Sequence, residues 1–296
     1  MNTREFLRQH NLAPKQSLAQ NFLVNEQYLA QIATAAQIAS TDLVLEIGPG
    51  PGSLTDYLAQ QAGRVIAIEL DNRLIEPLRT RFADQPHVTI VHGDILELNP
   101  GELVRKTEDG RRKTGDGRQG TGDGRHATSY KVVANLPYYI SSAVLRHLLE
   151  ASTPPTSIVV LVQKEVGERI CAEPGDLSLL AVSVQYYAKP TLVQQVPASA
   201  FYPRPKVDSA VLHLDLYPEP VVPNLPTNFF FRMVRAGFSQ KRKQLANTLS
   251  AGLHLPKPEI RVALESANID PRRRAETVSL EEWGVLGTIL IQLVGQ

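Results

Sequence analysis

Between Leu43 and Gln163 the chain alternates short apolar runs with longer amphipathic stretches, and this alternation restricts the possible fold more than any other feature. The runs LVLEI (43–47), RVIAIEL (64–70), VTIVH (88–92), KVVAN (131–135) and SIVVLVQ (157–163) are rich in Val and Ile. Continuous apolar runs of this length predict strands covered on both faces, as parallel strands in an α/β sheet are. Ser53–Gln61, Asn72–Phe82 and Ser141–Glu150 read as the helices between them. Crossovers of that kind are right-handed, so the pattern predicts an open, mostly parallel, doubly wound sheet.

Further on, Leu177–Tyr187 reads as a helix, and Leu192–Val196 and Val207–Leu216 read as strands around the loop PASAFYPRPKV. Pro218, Pro220, Pro223 and Pro226 crowd one segment and mark a linker. Only helical patterns follow: Asn228–Phe238, Lys241–Leu249, Pro258–Ala267 and Ser279–Val294. The expectation is an α/β domain over 1–217 and a small all-α domain over 218–296. Thr107–Ala127 reads as three tandem sevens, TEDGRRK, TGDGRQG and TGDGRHA. Heptads without apolar positions make no coiled coil. The segment is expected to be a flexible insertion, spanning about 101–130, with no assigned role.

Composition excludes several classes. Hydrophobic residues at 43% with 21% charged belong to an ordinary globular chain rather than a disordered one. No apolar stretch approaches the ~20 residues of a membrane span. The opening MNTREFLRQHNLAPKQ lacks the apolar centre of a secretory signal, so the cytoplasm is expected. One cysteine, Cys171, offers neither a disulfide nor a metal cluster, and the histidines show no metal spacing; no metal is expected. Residues 221–296 hold ten Lys/Arg against six Asp/Glu, whereas the first 220 hold 21 against 24. A basic tail on a near-neutral body points to a polyanionic partner.

The segment LEIGPGPGSLTDYL runs strand, Gly-rich turn, helix. Gly48, Gly50 and Gly52 remove side chains where a backbone must turn and a ligand come close. Glu69 ends the second strand, where an acid can bind both hydroxyls of a ribose. Asp94, after the third strand, can reach the exocyclic amine of an adenine. The spacing GxGxG is not the GxGxxG of a dinucleotide site, and no GK[ST] phosphate loop occurs. A cofactor with ribose and adenine but no phosphate fits, which is S-adenosylmethionine. Asn135-Leu136-Pro137-Tyr138 closes the fourth strand at the edge where open α/β sheets place ligands. Adenine N6 is a poor nucleophile because its lone pair is delocalised. The Asn135 side-chain oxygen and the Leu136 carbonyl can accept both its N–H groups and favour a more tetrahedral nitrogen. Pro137 stiffens the turn, and Tyr138 can stack on the base.

In these motifs and their order the chain resembles the bacterial small-subunit ribosomal RNA adenine dimethyltransferases. KQSLAQNFLVNEQ, EIGPGPGSLT, IELD, GDIL, NLPYYISS, QKEVGERI, LSLLAVSVQYYA, FYPRPKVDSAV, AGFSQKRKQLANTL and NIDPRRRAE follow in that family's order. The resemblance implies a Rossmann-like class I methyltransferase, and the chain is expected to act as a monomer. Asn21 and Leu23 would join Gly48, Gly50, Glu69, Asp94 and Asn135 at the cofactor. Tyr138 and Phe201 would sandwich the target adenine, and Arg232, Arg235, Lys241, Arg242 and Lys243 would contact RNA phosphates. The substrate implied is a pair of adjacent adenosines in the 3′ hairpin of 16S RNA, within an immature 30S subunit. Ala19 departs from the family, which commonly has glycine there, and should stiffen its turn. Two alternatives share the fold: a large-subunit RNA adenine methyltransferase, which usually has isoleucine at the place of Leu136, and a non-enzymatic ribosome-assembly or transcription factor.

Overall fold

A computed structural model of the chain describes residues 2–112 and 129–294. The polypeptide opens with α1 (Thr3–Gln9), β1 (Phe22–Leu23) and α2 (Glu26–Ala35). Asn2 and Asn25 cap the two helices by accepting backbone N–H groups at 2.9–3.4 Å. The alternating segment then delivers β2 (Leu43–Ile47), α3 (Ser53–Gln61), β3 (Arg64–Glu69), α4 (Asn72–Arg81), β4 (Val88–His92), α5 (Pro100–Arg112), β5 (Lys131–Asn135), α6 (Ser141–Leu149) and β6 (Ser157–Gln163). After these come α7 (Lys164–Ile170), α8 (Leu179–Gln185), β7 (Ala188–Val196), β8 (Phe201–Tyr202) and β9 (Ser209–Leu216). Four helices complete the order: α9 (Thr227–Gly237), α10 (Leu245–Leu253), α11 (Lys257–Ser266) and α12 (Leu280–Val294).

The seven-stranded sheet runs β4-β3-β2-β5-β6-β9-β7, and it is open and mostly parallel as the apolar runs predict. β4 through β6 are parallel, and β9 is antiparallel to β6. All five residues of β2 are buried. The chain order reverses between β2 and β5, so their C-terminal ends splay and leave a crevice, the place where such sheets bind ligands. On the sheet lies an apolar cluster that includes Leu29, Ile32, Leu58, Val133, Leu161 and Val211. A separate two-stranded pair, β1 with β8, sets Phe22 against Tyr202 and Leu23 against Phe201.

The chain divides into two compact units: residues 1–167 with 191–216, and residues 168–190 with 217–296. The second boundary falls at the expected proline-rich linker. Residues 168–190, expected in the first domain, instead belong with the helical tail. The reason is the apolar face of α8: Ala181, Val182 and Tyr186 are buried in one cluster with Phe229, Phe230, Met233 and Trp283. Tyr186 stacks on Phe230 with ring centroids 4.5 Å apart.

Two expectations need correction. The proposed insertion does not begin at 101, because α5 runs through Arg112, past Asp109 and Gly110. Val104 is fully buried and anchors that helix, and Glu102 pairs with Lys106 one turn on. The remaining sevens, from residue 113, lie outside the described residues. The basic trio Lys241, Arg242 and Lys243, expected at a helix start, occupies a turn. Apolar burial resumes only at Leu245, and there α10 begins.

Candidate active site

The crevice is built first by the turn after β2. Gly48 donates its N–H to Ile68 O (2.9 Å), tying the loop to β3, and Gly52 donates to Pro49 O (2.9 Å). Gly50 has φ +57°, and a Cβ there would stand 2.8 Å from the Phe22 ring. No other residue fits that approach without displacing Phe22.

Glu69, at the end of β3, is 5% exposed. Its Oε2 accepts the Gly50 N–H (3.0 Å) and its Oε1 the Asp71 N–H (2.8 Å). Burial pushes this carboxyl above the usual range, and those two N–H groups oppose the push. Held this way, the carboxylate keeps lone pairs toward the crevice that suit the two hydroxyls of a ribose. Next to it, the Arg73 guanidinium holds Asp71 below its usual range, and Gln20 Nε2 donates to Asp71 Oδ2 (3.0 Å). Lys15 N–H donates to Gln20 Oε1 (2.7 Å), so residues 15–21 are strapped across the rim of the site. Within the strap Ala19 takes φ +47°, ψ +38°, the left-handed conformation that glycine adopts without cost.

Across β2 in the same sheet, at the end of β5, Asn135 Nδ2 donates to Asn21 O (3.2 Å), and Asn21 Nδ2 donates to Ala19 O (3.0 Å). With its nitrogen committed, the Asn135 amide has its oxygen left to accept. Pro137 O accepts both Ile140 N–H and Ser141 Oγ–H at 3.2 Å, which closes the turn. The Tyr138 hydroxyl lies 2.6 Å from Ser209 Oγ, and burial raises its pKa. Asp94 Oδ1 accepts the Leu96 N–H (2.9 Å), so one of its oxygens caps the following turn.

Asn21, Gly48, Gly50, Glu69, Asp94, Asn135, Leu136, Pro137 and Tyr138 line one cleft of about 820 Å3, measured with its mouth. Leu23 and Phe201, both expected at this site, are not on its wall. They oppose each other in the β1–β8 pair, share one face, and bury it in the core, leaving Phe201 4% exposed. Alternation along a strand turns the neighbour, Phe22, to the cleft instead. Phe201 is packing here. Reading the sequence missed Tyr139, which lines the cleft while 62% exposed, and Gln20, the latch to Asp71. The doubled tyrosine of NLPYY was the available signal for the first; nothing local marked the second.

Arg232, Arg235, Lys241, Arg242 and Lys243 are all exposed on the helical unit. Arg232 lies over the Phe229 ring at 5.2 Å. Among the described residues no cluster of three or more His, Cys, Asp or Glu can hold a metal ion, and no helix is long and apolar enough to cross a membrane.

A mostly parallel sheet with a glycine turn after its first strand, an acid ending the second and an Asn-Leu-Pro-Tyr turn ending the fourth defines a Rossmann-like methyltransferase. Comparison with known proteins narrows this: the model of the ribosomal RNA adenine dimethylase family matches residues 11–290, and the chain belongs to that family. It is 45% identical over 293 residues to the ribosomal RNA small subunit methyltransferase A of Moorella thermoacetica, covering 97% of this chain and 96% of the relative. A crystal structure of a dimethyladenosine transferase from Plasmodium falciparum superposes with TM-score 0.74 at 26% identity, covering 93% of this chain and 98% of the other. The 23S rRNA methyltransferase ErmE superposes with TM-score 0.67 at 27% identity, covering 92% and 100%. The protein is an RNA adenine dimethyltransferase by family.

Proposed function

We propose that this chain transfers methyl groups from S-adenosylmethionine to N6 of two adjacent adenosines in the 3′-terminal hairpin of 16S RNA, on an immature small subunit in the cytoplasm. The observation that carries the reading is the convergence of Glu69 and Asn135 on opposite walls of one cleft at the switch point of the sheet. The residues fit the cofactor: a buried carboxylate for a ribose, a glycine turn where Cβ atoms have no room, and Asp94 within the same cleft for an adenine amine. When bound, the donor supplies a methyl group on a positively charged sulfur.

The chain's own contribution is orientation. Asn135 Oδ1 and the Leu136 carbonyl accept the two N–H groups of N6, which turns its lone pair out of conjugation and toward the donor. Holding reactants in such geometry is worth up to ~7–11 kcal/mol in favourable cases. Tyr138 supports the face of the base. The methylated amine is acidic and loses its proton to solvent, so no general base is assigned. A hairpin-loop adenosine is already partly unstacked, which keeps extrusion inexpensive. Arg232, Arg235, Lys241, Arg242 and Lys243 hold RNA phosphates. The high identity to a relative named for the small subunit, together with Leu136 in the NLPY turn, supports the small subunit over the large one.

The test is incubation of the chain with labelled donor and, separately, unmethylated small subunits, large subunits and duplex DNA. Label on the small subunit alone, recovered as N6,N6-dimethyladenosine, is expected. Label on the large subunit or the DNA instead overturns the assignment.

A further inference from the structure

Tyr138 is held at both ends. At its backbone, the turn of Pro137 is closed by Ile140 N–H and Ser141 Oγ–H, both on Pro137 O. At its far end, the phenol hydroxyl meets Ser209 Oγ at 2.6 Å. Ser209 is 0% exposed and begins β9, opposite Gln163 of β6. The residue before it is pinned twice: Asp208 O accepts the Lys164 N–H (3.0 Å), and Asp208 Oδ1 accepts the Ala198 N–H (2.9 Å). Ser209 is therefore a rigid anchor. A ring that served only as a stacking face needs no hydroxyl, and burying a phenol O–H costs free energy unless it finds a partner. Here the partner sits 71 residues away at the start of β9, which β6 separates from the strand that Tyr138 follows.

We infer that Ser209 is a positioning residue for the second methyl transfer: by holding the Tyr138 hydroxyl it sets the plane on which the base rests. The inference rests on the reading above, in which Tyr138 faces the target adenine. The first transfer begins with an unmodified amine that both acceptors can grip. The second begins with N6-methyladenine, which has lost one N–H and with it one of the two hydrogen bonds that orient it. Orientation then depends more heavily on the stacking plane, so a loosened ring slows the second step more than the first.

The test is a double-mutant cycle of Ser209→Ala, Tyr138→Phe and the pair, each removing a hydroxyl and little volume. Initial rates and the ratio of N6-methyl- to N6,N6-dimethyladenosine are measured on unmethylated small subunits, and donor affinity by titration calorimetry. Each single variant should raise the mono-to-dimethyl ratio about 5- to 20-fold, and the pair should match the singles rather than multiply them. Donor affinity should stay within about twofold. A merely structural hydroxyl lowers the amount of active protein and leaves the product ratio unchanged; that outcome, or multiplied effects in the pair, overturns the inference. Failure of the functional reading shows differently, as absence of dimethyladenosine from the wild-type reaction.

Discussion

The side chain of Asn135 donates to the main-chain oxygen of Asn21 at 3.2 Å, joining the end of β5 to the N-terminal strap across 114 positions of sequence. This single bond orients the acceptor that the chemistry needs and anchors the strap that roofs the cleft.

Replacing Asn135 with Ala removes both services. Transfer should fall about 100-fold or more, because a misplaced amine loses its alignment with the donor. Subunit binding, measured by sedimentation, should be largely kept, since the basic side chains lie elsewhere. Loss of subunit binding with transfer rate intact would contradict the role assigned to this side chain.

Glu69→Gln keeps the shape but replaces one charged acceptor by an amide. Hydrogen bonds to charged groups are worth ~1.5–3 kcal/mol, so donor affinity should weaken roughly 10- to 100-fold by calorimetry. Unchanged affinity would remove Glu69 from the cofactor site.

Ala19 adopts a left-handed backbone at φ +47°. That conformation costs an L-residue ~1–2 kcal/mol, while glycine adds ~0.4–1 kcal/mol of unfolded-state freedom. Ala19→Gly should therefore stabilise the fold by a net ~0.5–1 kcal/mol in urea denaturation. A destabilised variant would show that strap stiffness outweighs backbone strain.

Glu46 is 1% exposed, and its Oε2 has no hydrogen-bond partner. Burial, opposed by the neighbouring Thr55 hydroxyl and reinforced by the nearby charges of Glu69 and Asp56, raises its pKa to about 8 from an ordinary 4.5. The folded state thus holds a proton that the unfolded chain has released, so between those values stability falls as pH rises. Glu46→Gln cannot titrate. Its stability relative to wild type should climb from pH 5 to 8 and then level off, by roughly 3 kcal/mol at pH 7 given ~1.36 kcal/mol per unit. A difference constant across that range would mean the carboxyl is not held neutral.

Changing Lys241, Arg242 and Lys243 together to Gln should flatten the dependence of RNA binding on salt. Each lost phosphate contact lowers the log–log slope by ~0.7–0.9, so the change reaches ~2–3 if all three engage. An unaltered slope would place the trio outside the interface.

Strands β2 to β6 lie where the apolar runs put them, because parallel strands buried on both faces announce themselves by composition alone. The glycine turn, Glu69 and the NLPY turn were legible for the same local reason: each sits at a strand end, and strand ends meet at the switch point. Leu23 and Phe201 were misplaced because facing depends on pairing. Only the β1–β8 pairing decides that Leu23 joins the core cluster on the sheet while Phe22 faces the cleft.

What the residues determine unaided is the sheet, its order of elements and the chemistry offered at its edge, since these follow from periodicity and from motifs a few residues long. Tertiary structure alone decided that Asn21 meets Asn135, that Gln20 latches Asp71, that Ser209 holds Tyr138, and that α8 joins the helical unit. Each is a contact between segments far apart along the chain, whose energy depends on packing geometry that no local pattern records.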